Sequence, residues 1–130
     1  MVPETEAELF AYLQQEHYPD LVKSENPYDT FDCSSRMAQH YIELKCRRTH
    51  YDTLLIEQMK YRHLIEQSVR LQMWPFYINS TPEGIFSFDL SEIAEPEWHT
   101  HLMPATTDFE NTEKKEKLVG YLDIKDGIQI

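Results

Sequence analysis

The sequence predicts an α/β fold, in which one helix is followed by a mixed β-sheet with a long helix packed on it. Helical spacing of apolar residues occurs in two segments, and four runs rich in β-branched and aromatic residues read as strands. Their order along the chain is helix, strand, strand, helix, strand, strand, which is typical of an α/β core. A chain of 130 residues suits one hydrophobic core, so we expect residues 1–130 to form a single domain.

The first predicted helix covers residues 3–15 and carries an apolar stripe of Leu9, Phe10 and Leu13. Pro3 suits the first turn of a helix, and acidic residues suit its positive N-terminal end. Glu6 lies on the apolar stripe, and its ordinary role would be to stabilise that helix end.

A β-hairpin is predicted from residues 28–35 and 40–47, joined by a short polar link at residues 36–39. With this link, Asp32 lies directly opposite Glu43, and directly paired residues share one face of the sheet. Lys45 is two residues beyond Glu43, so it points to that same face. An Asp, a Glu and a Lys therefore converge on one small area.

Two carboxylates held this close repel each other unless a cation lies between them. Oxygen ligands suit Mg²⁺ or Mn²⁺, so the Asp32 and Glu43 pair predicts a divalent metal site. The alternative is a cross-strand ion pair between Lys45 and Asp32, beside a tolerated Glu43. Asp29 is a second candidate for the aspartate, but residues three apart on a strand face opposite ways, so it would need a β-bulge or another link length.

The pattern of Asp32 followed by Glu43-Leu44-Lys45 resembles the PD-(D/E)XK nuclease superfamily, and the likeness covers about residues 6–90. Within the superfamily it is most like small Holliday-junction-resolvase-like and phage-type nucleases. The resemblance implies a restriction-endonuclease-like core and a Mg²⁺-dependent DNA endonuclease. Asp32, Glu43 and the Leu44 carbonyl would hold the metal, Lys45 would act on the bound water or the phosphate, and Glu6 would be directed at the metal.

The second predicted helix runs from a cap at Asp52 or Thr53 to about Gln72. Gln58 lies on its apolar stripe, so it either bonds a neighbouring backbone group or points into the site. Some branches of the superfamily carry Gln-x-x-x-Tyr on this helix, whereas here Tyr61 follows Gln58 one residue early.

A net charge of −11 argues against broad affinity for nucleic acid, but the charge is unevenly distributed. Residues 36–70 are basic, with seven Lys or Arg against four Asp or Glu. We expect DNA contacts from this region, at Arg47, Arg48 and Lys60. Branched DNA recognised by shape is the expected substrate, and a homodimer would provide two cuts. A sequence-specific homing or restriction-like endonuclease, or an inactive acidic nuclease-fold binding protein, are the other interpretations.

The remaining chain is less informative. Residues 74–80 and 85–90 are predicted strands joined by a turn, residues 91–117 are predicted to be loop-like, and residues 118–130 fit either an edge strand or a helix. His99 and His101 have the spacing of a strand-borne Zn²⁺ pair, without further ligands nearby. The two cysteines suit buried hydrophobic positions better than a disulfide. Without a signal-peptide pattern or a membrane-length apolar run, we expect a soluble cytoplasmic protein, and the phage-type likeness leaves a phage origin open.

Overall fold

The computed structural model describes residues 2–25, 31–104 and 114–130. Within these ranges the chain forms a six-stranded mixed sheet, ordered β1-β2-β3-β5-β6-β9, and a three-stranded antiparallel sheet, ordered β4-β8-β7. In chain order the elements are α1 (Glu6–Glu16), β1 (Val22–Lys23), β2 (Asp32–Ser35), β3 (His40–Cys46), β4 (Thr53–Glu57), α2 (Gln58–Leu71), β5 (Trp74–Thr81), β6 (Gly84–Asp89), β7 (His99–Pro104), β8 (Lys114–Asp123), a short 3₁₀ helix (Ile124–Asp126) and β9 (Ile128–Gln129).

Helix α1 confirms the first predicted helix, although it begins three residues later than expected. Thr5 is its N-cap, and the Thr5 side chain accepts a hydrogen bond from the backbone N–H of Glu8 at 3.1 Å. Leu9 and Leu13 are fully buried on the inner side of this helix. They pack in one cluster with apolar residues of β3 and β5, which fixes α1 against one face of the six-stranded sheet.

The predicted hairpin and its register are confirmed for residues 32–35 and 40–46, whereas residues 28–30 of the first predicted strand lie outside the described residues. Strands β2 and β3 are antiparallel, with Asp32 opposite Glu43 and Ser35 opposite His40. On its other side β3 pairs with β5 in parallel, where Glu43 lies opposite Tyr77. Strand β3 is therefore an interior strand, and its side chains alternate between the two covered faces.

Residues 53–57 were predicted to open the second helix, and that prediction is wrong because they form β4. Leu54 and Ile56 are buried and alternate with more exposed neighbours, which is the period of a strand, and β4 pairs with β8. The predicted cap at Asp52 or Thr53 is wrong for the same reason, since α2 begins at Gln58. Its end was predicted well, because Gln72 takes the left-handed conformation that terminates the helix, with φ 57°.

The two strands predicted near residues 74–80 and 85–90 are confirmed as β5 and β6. Thr81 and Gly84 pair across their connection, and Gly84 has φ 143°, which favours glycine. The loop-like prediction for residues 91–117 is wrong in part, because β7 lies within it and β8 starts at Lys114. Strand β8 pairs with β7, which precedes it closely in the chain, and with β4, which is distant in sequence.

Residues 118–130 are mostly strand. They complete β8 and end with β9, which pairs with β6 at the edge of the larger sheet, so the edge-strand alternative is right for β9 and the helix alternative is wrong. Cys33 and Cys46 are free thiols, and the predicted burial is right for Cys33 but not for Cys46, which is half-buried. Among the described helices, none is long and apolar enough to cross a membrane.

The second face of the six-stranded sheet is covered by α2 and the smaller sheet. Its core includes Tyr41 and Tyr77 from the larger sheet, Leu64 from α2, and Leu54 and Leu122 from the smaller one. Strand alternation places Asp32, Glu43 and Lys45 on this face, with Tyr41. The three predicted site residues therefore lie on the side of the sheet opposite to α1.

Candidate active site

Asp32 and Glu43 form a pair of buried carboxylates at the centre of the candidate site. They are directly opposite each other on β2 and β3, and their residues are only 4% and 8% exposed. Such cross-strand pairs have Cβ atoms about 5 Å apart. Two like charges at this separation inside a protein need positive groups or a cation nearby.

Two neighbours hold Asp32 in place. The Tyr41 hydroxyl donates a hydrogen bond to Asp32 Oδ2 at 3.1 Å, and His63 Nε2 lies 3.1 Å from the same oxygen. Tyr41 is on β3, two residues before Glu43, whereas His63 reaches the site from α2. The aspartate is therefore fixed by a strand and a helix at once.

Glu43 is only partly satisfied. Its Oε1 is 3.4 Å from Lys60 Nζ on α2, while its Oε2 is buried and has no hydrogen-bond partner among the described residues. Burial raises the pKa of Glu43 to about 7; Lys60 opposes this rise and the charge of Asp32 adds to it. A buried carboxylate oxygen without a hydrogen-bond partner lowers the free energy of unfolding, so the arrangement at Glu43 destabilises the fold.

The donor set fits a hard divalent cation. Besides the two carboxylates, the Leu44 carbonyl belongs to this region, because the Leu44 N–H bonds the Phe31 carbonyl at 3.2 Å and both backbone groups of a strand residue point to the same side. That side is the β2 side, where Asp32 lies. No group of three or more His, Cys, Asp or Glu side chains able to hold a metal occurs in residues 2–25, 31–104 and 114–130. Two carboxylates completed by waters suit Mg²⁺, which retains much of its hydration.

Lys45 lies two residues beyond Glu43, half-buried, with Asn79 opposite it on β5. Burial lowers the pKa of Lys45, and the positive charge of Arg47 lowers it further, while Glu6 and Glu57 act in the opposite direction. A lysine with a lowered pKa releases a proton more readily than an exposed one. Its position beside the carboxylate pair suits a group that acts on a phosphate or a water.

Glu6 and Gln58 lie at the edge of the candidate active site. Glu6 is half-buried in the first turn of α1 and acts electrostatically on Lys45, but within the described residues it has neither a hydrogen bond nor an ion pair to Asp32 or Glu43. Gln58 is the first residue of α2 and lines a cavity of about 220 Å³ on the side facing β8. Asp29 lies outside the described residues, so its role stays a prediction.

Sequence reasoning missed the contributions of Tyr41, His63 and Glu57, and gave Lys60 only a DNA-binding role. Lys60 and His63 are three residues apart on α2, so they share a helix face that meets the carboxylate pair. This spacing in the sequence could have predicted that both side chains lie at the same site. Glu57 forms an ion pair with Lys117 of β8 at 2.9 Å and acts electrostatically on Lys45.

Arg47 is engaged inside the protein. Its guanidinium donates to Asn79 Oδ1 at 3.0 Å, to the Tyr77 hydroxyl at 2.9 Å and to the Leu55 carbonyl. These bonds tie β3 to β5 and β4, so Arg47 connects the two sheets. Of the basic residues predicted to contact DNA, Arg48 and Lys60 are the exposed ones.

Neither a family model nor a curated protein matches the sequence. The structure is similar to a solved structure of Hjc, a Holliday junction resolvase from the archaeal hyperthermophile Archaeoglobus fulgidus and a member of the PD-(D/E)XK superfamily. The TM-score is 0.59, and the match covers 96% of this chain and 88% of that chain at 15% sequence identity. The fold is therefore restriction-endonuclease-like, and the predicted resemblance to resolvase-like nucleases is confirmed at the level of the fold.

Proposed function

We propose that this protein is a metal-dependent DNA endonuclease that hydrolyses phosphodiester bonds, with a preference for branched DNA. One observation carries the proposal: two buried carboxylates face each other, and one of their oxygens has no partner among the described residues. The likeness to Hjc, a Holliday junction resolvase, supports nucleic acid as the substrate and a branch as its shape. Residues 1–130 would act as a single nuclease domain in the cytoplasm.

Asp32, Glu43 and the Leu44 carbonyl would hold Mg²⁺, with Mn²⁺ as a substitute. When bound, the metal would polarise the scissile phosphate and make its bound water a stronger nucleophile. Tyr41 and His63 keep the Asp32 carboxylate in one orientation. Lys45 would orient the attacking water or stabilise charge developing on the phosphate, a role that a compact and mobile ammonium suits.

Lys60 would act as the counter-ion of Glu43 when no metal is bound. Its ammonium lies 3.4 Å from Glu43 Oε1, and its side chain is 47% exposed, so it has room to move away. A divalent cation and Lys60 would therefore compete for the same carboxylate. Once displaced, Lys60 is well placed to meet a phosphate at the site entrance.

The chain is acidic overall, so tight binding to any duplex is not expected. Recognition of branched DNA by shape needs fewer base contacts than recognition of a sequence. A homodimer would position two such sites and give the paired cuts that a four-way junction requires. Two observations favour the alternative of an inactive acidic binding protein. The net charge is −11, and Lys60 and His63 already lie beside the Glu43 and Asp32 carboxylates.

The test is cleavage of matched linear, flap and four-way-junction DNA with Mg²⁺, Mn²⁺ or EDTA. We expect cleavage of the junction with either metal and none with EDTA. Glu43→Gln should abolish cleavage, whereas Glu66→Gln, at an exposed position on α2, should not. Equal cleavage of linear and branched substrates would remove the structural preference. Binding without any cleavage would favour the inactive binding protein.

A further inference from the structure

A cavity of about 520 Å³ lies beyond the end of β3, between the segment after that strand and β8. Its lining includes Arg48, Tyr51, Leu55 and Tyr121. Tyr51 is 64% exposed and Tyr121 is 42% exposed, so both rings offer surface to solvent. A volume in the range of about 300 to 1,000 Å³ is typical of small-ligand pockets.

The cavity is close to the candidate active site. Arg47 contributes to its wall and lies two residues after Lys45, one residue beyond the end of β3, where its N–H still bonds the Ser80 carbonyl of β5. Two extended residues correspond to a rise of about 7 Å. Successive nucleotides of one strand in duplex DNA rise by about 3.4 Å each. A DNA strand whose scissile phosphate lies at Lys45 would thus bring a nucleotide one or two positions away to this cavity.

The lining has the chemistry of a nucleotide site. Aromatic rings stack on bases of any sequence, and an exposed arginine pairs with phosphate oxygens. The arginines also give this cavity a positive wall on an otherwise acidic protein, which complements a phosphate. A tyrosine needed only for the core would be expected to be buried, as Tyr77 is at 4% exposure.

We propose that this cavity binds an unstacked nucleotide of the DNA substrate, adjacent to the cut. Tyr51 and Tyr121 would hold the base and Arg48 its phosphate. The proposal rests on the proposed nuclease function, and it explains a preference for branched DNA, because nucleotides at a branch point unstack more easily than those in a continuous duplex. Tyr51 and Tyr121 would then act as specificity determinants.

Binding is tested without metal, so that no cleavage occurs. The probes are a single-stranded oligonucleotide and a four-way junction, each carrying iodouracil for photo-cross-linking. We expect Tyr51→Leu and Tyr121→Leu to weaken single-strand binding by about tenfold. Tyr51→Phe, which keeps the ring, should bind normally, and the cross-link should map to Tyr51 or Tyr121.

Trp74→Leu is the matched control, because Trp74 is a 54% exposed aromatic residue that lies opposite His40, at the end of β3 away from the cavity. Thermal unfolding of each variant shows whether it is folded. Unchanged binding by folded Leu variants would overturn the proposal, as would equal loss in the Trp74 variant. Weaker binding in Arg48→Ala alone would also overturn it, since that result describes a phosphate contact without a base.

Cleavage is measured separately on the same proteins, so failure of the pocket is distinguishable from failure of the nuclease. If both Leu variants cleave DNA with metal and bind the single strand normally, the nucleotide pocket is refuted and the nuclease function is retained. Single-strand binding that depends on Tyr51 and Tyr121, in a protein that cleaves nothing, would refute the nuclease and retain the pocket.

Discussion

The two faces of the six-stranded sheet differ in what they bury. Ile42 and Leu44 point to the face covered by α1, where they pack with Leu9, Leu13 and Ile78 in an apolar cluster. Alternate residues of the same strand, Glu43 and Lys45, point to the opposite face. One strand therefore stabilises the fold through one set of side chains and presents costly charges through the other.

The face that carries Glu43 and Lys45, which we call the polar face, also packs Tyr41, Tyr77 and Leu64 against α2 and the smaller sheet, and it contains the unsatisfied atoms. Glu43 Oε2 and Asn79 Nδ2 are buried without partners among the described residues, and Asn79 lies opposite Lys45. Buried polar groups normally find partners, so an exception beside a carboxylate pair indicates a functional site. We therefore expect substitutions along β3 to divide into two groups: those facing the site should lower activity, and those facing α1 should lower stability.

The largest effect is expected on cleavage, from substitutions on the polar face. Glu43→Gln and Lys45→Ala should each lower the cleavage rate by about a thousandfold or more, as removal of a preorganised charge at a reacting centre does. Titration with Mn²⁺ should distinguish them, because Lys45→Ala keeps the metal ligands and Glu43→Gln loses one. Normal cleavage by both variants would end the nuclease interpretation.

The apolar face should give the reverse result. Ile42 is fully buried next to Glu43, and Ile42→Ala should lower the free energy of unfolding by about 2 to 5 kcal/mol. Chemical denaturation measures this loss. Metal-dependent cleavage per folded molecule should be nearly unchanged under conditions where the variant is folded. A strong loss of activity in the folded variant would show that the two faces are coupled.

This division into faces could be predicted from the sequence, because a four-residue link and the two-residue period of strands determine which side chains meet. Asp32 opposite Glu43 follows from those two facts alone. The start of α2 could not be predicted in this way, since Leu54 and Tyr61 are seven residues apart and fit a helix as well as a strand followed by a helix. Lys60 and His63 lie inside the predicted helix as well as the observed one, so their common face could have been recognised from their spacing.

The smaller sheet was the least predictable part. Strand β8 is stabilised by β4 and β7, and β4 precedes it by more than fifty residues, so neither local spacing nor turn chemistry indicated the pairing. Arg47 illustrates the consequence. As a basic residue after a strand it fitted a DNA contact, but the partners that occupy its guanidinium come from β4 and β5.

Stability should depend on pH through Glu43. Its pKa rises on folding from 4.5 to about 7, so the folded protein holds this proton more tightly than the unfolded chain. The contribution of Glu43 to stability is then greatest below pH 4.5 and is lost as the pH rises to 7. Glu43→Gln should therefore be more stable than wild type at about pH 8, by on the order of 3 kcal/mol.

Unfolding of both proteins across the pH range checks this expectation. The difference should shrink toward zero at acid pH, and Mg²⁺ should reduce it at alkaline pH by stabilising the wild type more than the variant. Glu66→Gln, at an exposed position, should show no such trend. A constant difference at every pH would mean that Glu43 is not held at a raised pKa.

A smaller effect is expected at Lys60. Removing its ammonium with Lys60→Met should raise the affinity for Mn²⁺ by about two- to fivefold, as expected for loss of a competing, half-exposed ion pair. Calorimetric titration without DNA measures this directly, and Lys60→Arg should bind the metal like the wild type. Weaker metal binding in Lys60→Met would show that Lys60 supports the cation rather than competing with it.

The smallest effect separates two adjacent arginines. Arg48 is exposed, and Arg48→Ala should weaken binding to all DNA sequences alike and reduce the slope of log affinity against log salt by about 1. Arg47→Ala should instead lower the thermal unfolding temperature, because it removes the bonds that join the two sheets. Binding to linear DNA over a salt series, measured without metal, gives the first quantity and thermal melts give the second. If Arg47→Ala changed the salt slope while melting like the wild type, its guanidinium would be free for phosphate and the contacts between the sheets would contribute little to stability.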